Sequence, residues 1–91
     1  MENEDPKLFS TRDLGLAATL ATNGFQAIGI DFQYEGSKRL PVGYFSFQES
    51  PEMRRVESDF WAGACRVDPR VFLVNMRALK SQVVGKERSP R

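Results

Sequence analysis

A change of hydrophobic period after Gly24 constrains the fold of this chain more than any other feature. Upstream of Gly24 apolar residues recur at helical spacing, whereas from Ile28 to Tyr34 they occupy every second position. Helical recurrence is typical of an amphipathic helix, and strict alternation is typical of a half-buried strand. The sequence therefore predicts a mixed fold in which a helix precedes a strand.

A second strand is predicted over residues 40–48, where Phe45 and Phe47 point to the same side. The intervening residues 35–39 are rich in charge and in turn formers, which is typical of a loop. Two strands joined by such a loop predict an antiparallel hairpin. Pro41 cannot donate a ladder hydrogen bond, so it would confine its end of the strand to an edge or a bulge.

The first helix is predicted to begin at a capping box formed by Ser10 and Asp13, with aspartate in place of the usual glutamate. Thr11 is the alternative N-cap. Gly24 predicts a left-handed stop after about Asn23. The two predicted faces of this helix consist of Leu14, Ala17, Ala18, Leu20 and Ala21 on the apolar side and of Arg12, Gly15, Thr19, Thr22 and Asn23 on the opposite side.

Two further helices begin with the same device, an N-cap followed by proline at the first helical position. The two pairs are Ser50-Pro51 and Asp68-Pro69. Glycine predicts the ends of these helices, at Gly63 and near Gly85. Residues 64–67 form a short extended link between them, which is also a candidate third strand.

The predicted order is helix, strand, strand, helix, helix (αββαα), which indicates an α+β fold with the helices packed on one face of the hairpin. Residues 8–85 are predicted to form a single domain, residues 1–7 a flexible acidic N-terminus and residues 86–91 a flexible basic tail. The predicted core consists of Leu14, Ala18, Leu20, Ile28, Ile30, Phe45, Phe47, Val56, Phe60, Phe72, Met76 and Leu79.

The side chains that most often carry catalysis are scarce in this sequence. There is no histidine, so a catalytic triad is excluded and the commonest metal ligand is missing. Cys65 is the single cysteine and cannot form an intramolecular disulfide or anchor a zinc site. A carboxylate pair of Asp13 with Asp31 or Glu35 is the remaining candidate for metal or acid–base chemistry. However, a role as helix cap explains Asp13, and a place on the polar face of a strand explains Asp31. We predict a protein that is not an enzyme and takes no metal or cofactor.

The N-terminal residues and the hydropathy pattern indicate in which cellular compartment the protein resides. The first eight residues are acidic and polar, whereas a secretory signal is basic and then apolar. No stretch approaches the roughly 20 apolar residues of a membrane span. A lone cysteine fits a reducing compartment. The sequence therefore predicts a cytoplasmic protein that is not attached to a membrane.

Positive charge is concentrated near the C-terminus, where residues 60–91 contain seven basic and two acidic residues although the net charge is +1. Three of the basic residues, Arg70, Arg77 and Lys80, are seven and three positions apart. At these spacings they share a face of the third helix. Leu73 interrupts this row, and charged helix faces are usually only solvated. Binding of nucleic acid is therefore the alternative function rather than the first. The candidate basic surface consists of Arg66, Arg70, Arg77 and Lys80, extended by Lys38 and Arg39 of the hairpin loop.

Three apolar or aromatic residues are candidates for an interface. Val42 and Tyr44 belong to the predicted outer face of the hairpin, which the helices leave uncovered. Trp61 either flanks the apolar stripe of the second helix or faces out, where it would anchor an interface. Open strand edges also invite pairing with another chain. We therefore predict a small non-catalytic protein-interaction module with an unidentified protein partner, and a homodimer.

Several short motifs occur in an order that resembles a family of small bacterial and phage proteins known only as a domain of unknown function. The resemblance covers about residues 8–84. It implies a stand-alone intracellular domain, often encoded by phage or mobile DNA, and it implies no catalytic residue. The motifs are Phe9-x-Thr11-x-Asp13-Leu14-x-Leu16-Ala17-Ala18-x-Leu20, Gly24-Phe25, Phe45-x-Phe47, Phe60-Trp61-x-Gly63, Val67-Asp68-Pro69-Arg70 and Leu79-Lys80.

Overall fold

The computed structural model describes residues 7–34, 36 and 41–87. These residues form a three-stranded sheet and three helices, which confirms the predicted α+β class. The elements in chain order are β1 (Leu8–Thr11), α1 (Leu14–Thr22), β2 (Gly29–Gln33), β3 (Val42–Gln48), α2 (Pro51–Ala62) and α3 (Pro69–Glu87).

The sheet has the order β1-β3-β2, and both strand pairs are antiparallel. The predicted hairpin is confirmed as β2 and β3, but the element order gains a strand, because residues expected to begin the first helix form β1. Phe9 of β1 lies opposite Phe47 of β3. A strand of four residues whose hydrogen-bond partners lie so far along the chain leaves no local pattern to detect. Residues 64–67, the candidate third strand, form an irregular link instead.

The start of α1 lies three residues later than the capping box predicted. Asp13, rather than Ser10 or Thr11, is its N-cap, and the Asp13 carboxylate accepts a hydrogen bond from the backbone N–H of Leu16 at 2.9 Å. The Thr11 hydroxyl instead accepts one from the backbone N–H of Asp13 at 3.0 Å. The helix ends before Gly24, whose φ of 94° is in the left-handed region.

The other two helices begin as the sequence predicted. The Ser50 hydroxyl accepts a backbone hydrogen bond from the first turn of α2 at 3.1 Å, and α2 ends at Gly63 with φ of 74°. The Asp68 carboxylate accepts one from the first turn of α3 at 2.8 Å. Helix α3 continues to Glu87, past Gly85. The remainder of the predicted tail, and residues 1–6, lie outside the described residues.

Helix α1 is enclosed on every side. Five consecutive residues, 16–20, are buried, although the sequence predicted that Thr19 belongs to an outward polar face. That prediction is wrong because α2, α3 and the sheet all pack against this helix. Thr19 is 4% exposed, and its hydroxyl donates to the carbonyl oxygen of Gly15 at 2.8 Å. A threonine that satisfies its hydroxyl within its own helix can be buried without an orphaned polar group.

The core lies between the helices and the sheet face that carries Phe45 and Phe47. Leu16 and Met53 are also buried there, although the core prediction did not include them. Ile28 is 60% exposed and does not belong to the core, because it precedes β2 at the open end of the sheet and lines a surface cavity. Of the other predicted members, Ala18, Leu20, Phe45, Phe47 and Leu79 are buried, and Leu14, Ile30, Val56, Phe60, Phe72 and Met76 pack against them half-buried.

An ion-pair cluster joins α2 to the edge strand β1. The Arg54 guanidinium carbon lies 4.6 Å from the centre of the Phe9 ring, which is cation–π geometry. Arg54 also pairs with Glu49 at 2.9 Å and with Glu57 at 2.6 Å. Hydrogen bonds to Glu49, and next to Glu57, raise the pKa of the Arg54 guanidinium above its ordinary value. This cluster thus pairs Arg54 and Glu57 of α2 with each other and pairs Arg54 with Glu49, the residue before the N-cap.

Candidate functional site

The basic residues that the sequence singled out are exposed wherever the structure describes them. Arg70, Arg77 and Lys80 lie on the outward side of α3, and Arg66 is exposed in the link before this helix. Lys38 and Arg39 lie outside the described residues. The predicted basic row on α3 is therefore brought together on the surface by helical geometry alone.

Apolar side chains are interleaved with this row. Val71, Leu73 and Val74 are all exposed large hydrophobic residues of α3. Successive helix residues are rotated by about 100°, which puts Leu73 between Lys80 and Arg77 and puts Val74 directly beside the row. The sequence does contain a signal for this surface, because Val71 and Val74 are apolar residues three apart that do not belong to the core stripe of this helix.

The same helix carries no negative charge along most of its length. Between Pro69 and Lys86 the sequence contains no acidic residue, and Asp68 is engaged as the N-cap. We call Arg70, Leu73, Val74, Arg77 and Lys80 the outer face of α3. Its composition is cationic and apolar, with no acid of its own helix to neutralise the positive charge.

Trp61 faces outward, which was one of the two alternatives left open by the sequence. Its side chain is 60% exposed. Its ring makes an edge-on contact with Phe60, with centroids 4.9 Å apart and an interplanar angle of 78°. Phe60 in turn is half-buried against the core, and its ring lies over Gly15 of α1. Trp61 is thus held in place from one side and presents most of its surface to solvent.

Val42 and Tyr44 are less available than the hairpin model predicted. Both are half-buried, and the strand that carries them is the central strand of the sheet rather than an edge. Residues of β2 lie opposite both of them, Gln33 opposite Val42 and Asp31 opposite Tyr44. Pairing with β1 and β2 occupies both edges of β3 at Phe45 and Ser46, and at Val42 and Tyr44 the edge toward β2 is paired.

Two of the surface cavities formed by the described residues adjoin the core. The first, of about 320 Å³, is lined by neutral residues of the open sheet end, among them Phe25, Ile28 and Ser50. The second, of about 210 Å³, lies between α3, β3 and the segment that leads into α1. It is lined by Arg12, Leu14, Val42, Gly43, Phe45, Lys80 and Val83. Sequence reasoning did not find the second cavity, because its lining comes from three separated parts of the chain.

The described residues contain no group of three or more side chains suited to hold a metal ion. Asp13 is used as a helix cap, and Asp31 accepts a hydrogen bond from the Gln33 side chain at 2.7 Å. Cys65 is half-buried, with its sulfur 4.0 Å from the Asn23 side-chain nitrogen. Each of these candidate chemical groups therefore has a local structural contact.

Comparison of the chain with protein-family models, with curated proteins and with solved structures found no match in any of the three. The resemblance to a domain of unknown function stays a prediction. Among the described residues, no helix has both the length and the apolar character needed to cross a bilayer.

Proposed function

We propose that this chain is a small, non-catalytic protein-interaction module that binds its partner through the outer face of α3. The observation that carries the proposal is the exposure of Leu73 and Val74 within a cationic row that lacks acidic neighbours on its helix. Because Cys65 is unpaired, we also propose the reducing cytoplasm as the setting.

The chemistry of the outer face favours a partner segment that is both acidic and apolar. Burial of exposed apolar surface contributes roughly 25 cal/mol per Å², so Leu73 and Val74 would supply affinity. Exposed ion pairs contribute only about 0 to 1 kcal/mol each, so Arg70 and Arg77 would act mainly on orientation and association rate. An amphipathic helix or strand with alternating apolar and acidic residues satisfies both requirements.

A random peptide library offers a direct test of this surface. Peptides selected on the immobilised wild-type chain should be enriched in Asp or Glu combined with Leu, Ile or Phe. Binding of those peptides should be lost in the Leu73→Asp variant, because the substitution removes apolar contact and adds repulsion for acidic residues. Binding is measured by fluorescence anisotropy with the folded state of each variant verified by circular dichroism.

Tyr34→Asp is the matched control, since Tyr34 is also an exposed hydrophobic residue but lies directly after β2, away from α3 in the chain. The selected peptides should bind this variant as they bind the wild type. Peptides without acidic enrichment, or peptides that bind Leu73→Asp undiminished, would rule out the outer face of α3 as the binding surface.

Nucleic acid is the second candidate partner, favoured by the exposure of Arg70, Arg77 and Lys80 along one side of α3. Phosphate contacts release counterions, so affinity for DNA or RNA should fall steeply between low and physiological salt. Arg77→Gln should then flatten the salt dependence measured by filter binding. Absence of binding at low salt would remove this candidate. The apolar residues within the row are what makes it the second choice, because they gain nothing from a phosphate backbone.

We also propose that the chain forms a homodimer through the outer face of the sheet. Val42 and Tyr44 are the largest apolar groups of β3 on that face, and a two-fold axis lets one patch serve both partners. Light scattering at about 100 micromolar should give about twice the monomer mass. Tyr44→Glu should yield a folded monomer.

The Trp61→Glu variant distinguishes a dimer interface on the sheet face from one on α2. If Trp61→Glu dissociates the dimer while Tyr44→Glu does not, the interface lies on α2 and the sheet-face model is wrong. A wild-type chain of 10.3 kDa in solution contradicts the dimer altogether.

A further inference from the structure

We propose that the cavity at the open end of the sheet binds an uncharged, extended peptide segment with one apolar residue, which adds to the sheet as a strand beside Gln48. The proposed site shares none of its described lining residues with the outer face of α3. The cavity has a volume of about 320 Å³. At about 30 Å³ per water molecule, this volume equals about eleven waters, which is room for one apolar residue and the peptide groups on either side of it.

The backbone of Gln48 points toward the cavity side of β3. The backbone N–H of Glu49 donates to the carbonyl oxygen of Lys7 at 2.9 Å. In an antiparallel ladder hydrogen-bonded and non-hydrogen-bonded pairs alternate, so the next pair, Leu8 opposite Gln48, is a non-hydrogen-bonded pair. The N–H and C=O of Gln48 therefore point away from β1, toward the edge of β3 along which β2 lies.

Strand β2 leaves this edge before it reaches Gln48. Its ladder with β3 ends at Gly29 opposite Ser46, and the N–H of Ile28 also donates to the carbonyl oxygen of Ser46, at 2.8 Å. Within the described part of the chain, no backbone group is hydrogen-bonded to Gln48 on that side. An open ladder position beside a cavity is suited to an added peptide strand, whose main chain exchanges N–H and C=O hydrogen bonds with the exposed edge.

The side chains around this position are apolar or uncharged. Phe25 and Ile28 line the cavity, and Ile28 is 60% exposed. The carboxamides of Gln26 and Gln48 are exposed there, and neither is hydrogen-bonded to another described residue. Carboxamides both donate and accept, so they match the peptide groups of a ligand. None of the seven described lining residues is charged, so a charged ligand residue would lose hydration without gaining a counter-charge.

Titration of the isotope-labelled chain with the peptide acetyl-Thr-Leu-Thr-amide, followed by amide NMR shifts, tests the site. We expect a dissociation constant on the order of 1 mM, with shifts at Phe25 and Ile28. The amide proton of Gln48 should move downfield because it gains a hydrogen bond, which contact with side chains alone does not produce. Acetyl-Thr-Asp-Thr-amide is the matched control peptide and should bind at least about fivefold more weakly.

Gln48→Pro and Gln48→Ala separate main-chain recognition from side-chain recognition. Proline removes an N–H that no ladder bond of the sheet uses, whereas alanine removes only the carboxamide. Gln48→Pro should weaken binding of the leucine peptide about fivefold or more, and Gln48→Ala about twofold at most. Circular dichroism verifies that each variant is folded. Ile28→Asp changes only an exposed side chain, and it should weaken binding even if the proline variant does not fold.

Val74→Asp is the matched control for Ile28→Asp, because Val74 is 63% exposed but belongs to the outer face of α3. It should bind the leucine peptide as the wild type does. Loss of binding in Val74→Asp but not in Ile28→Asp would place the peptide on α3 and overturn the proposal. Undiminished binding by folded Gln48→Pro, or no shift at about 10 mM peptide, would also overturn it. Shifts at Gln48 with uridine but not with the leucine peptide would assign a nucleobase site instead.

Discussion

Replacement of Phe47 by alanine is expected to lower the free energy of unfolding by about 3 to 5 kcal/mol. Phe47 is 1% exposed and belongs to the central strand, where its ring packs among residues of the helices. Truncation would remove buried hydrocarbon and leave a cavity that the surrounding helices fill only in part. Because small domains are stable by only about 5 to 15 kcal/mol, this loss would threaten folding at physiological temperature. Urea denaturation followed by circular dichroism measures it.

Trp61→Ala provides the control for the Phe47 measurement, because Trp61 is a larger aromatic residue that is 60% exposed. Truncation of Trp61 should lower the free energy of unfolding much less than truncation of Phe47 does. Phe60→Ala should fall between the two, since Phe60 is half-buried and supports the Trp61 ring. A cost below about 1 kcal/mol at Phe47 would show that the core assignment is wrong.

Replacement of Thr19 by lysine is expected to destabilise the fold by about 3 kcal/mol or more, because it would bury a charge without a partner. The helical pattern of the sequence alone predicts the opposite, a tolerated change on a solvated face. Thr19 lies in the enclosed stretch of α1, and its hydroxyl is already satisfied by Gly15. The thermal midpoint and the urea midpoint of the variant both measure the effect.

Ser58→Lys is the matched control for this substitution, because Ser58 is a small polar residue in the exposed part of α2. Its change in stability should stay within about 0.5 kcal/mol of zero. If Thr19→Lys is tolerated as well as Ser58→Lys, α1 is not enclosed, and the packing of α2 and α3 around it has to be revised.

The positions of the candidate site residues could be derived from the sequence only in part. The basic row of Arg70, Arg77 and Lys80 follows from residue spacing on one helix, so its shared surface could be derived before the fold was known. The cavity beside Lys80 could not, because Arg12 and Val42 join it from other elements. Trp61 stayed ambiguous in the sequence, since a residue that flanks an apolar stripe faces inward or outward according to what the neighbouring elements cover.

The sequence by itself determined the features that depend on a few adjacent residues. Ser50 and Asp68 start two helices, Gly24 and Gly63 end two, and the alternation on either side of the hairpin loop specifies β2 and β3. Each rests on a cap hydrogen bond, a permitted dihedral angle or a side-chain period, and these act within one turn or one strand.

Only the tertiary structure decided which surfaces are covered. The segment around Phe9 forms the edge strand β1 because β3 offers hydrogen-bond partners far along the chain. Thr19 is buried because two helices and a sheet surround α1. Val74 is apolar but exposed, since the packed side of α3 is already occupied by Phe72, Met76 and Leu79. Burial is a property of the assembled elements and not of a residue's own helix, which is why local pattern could not reveal it.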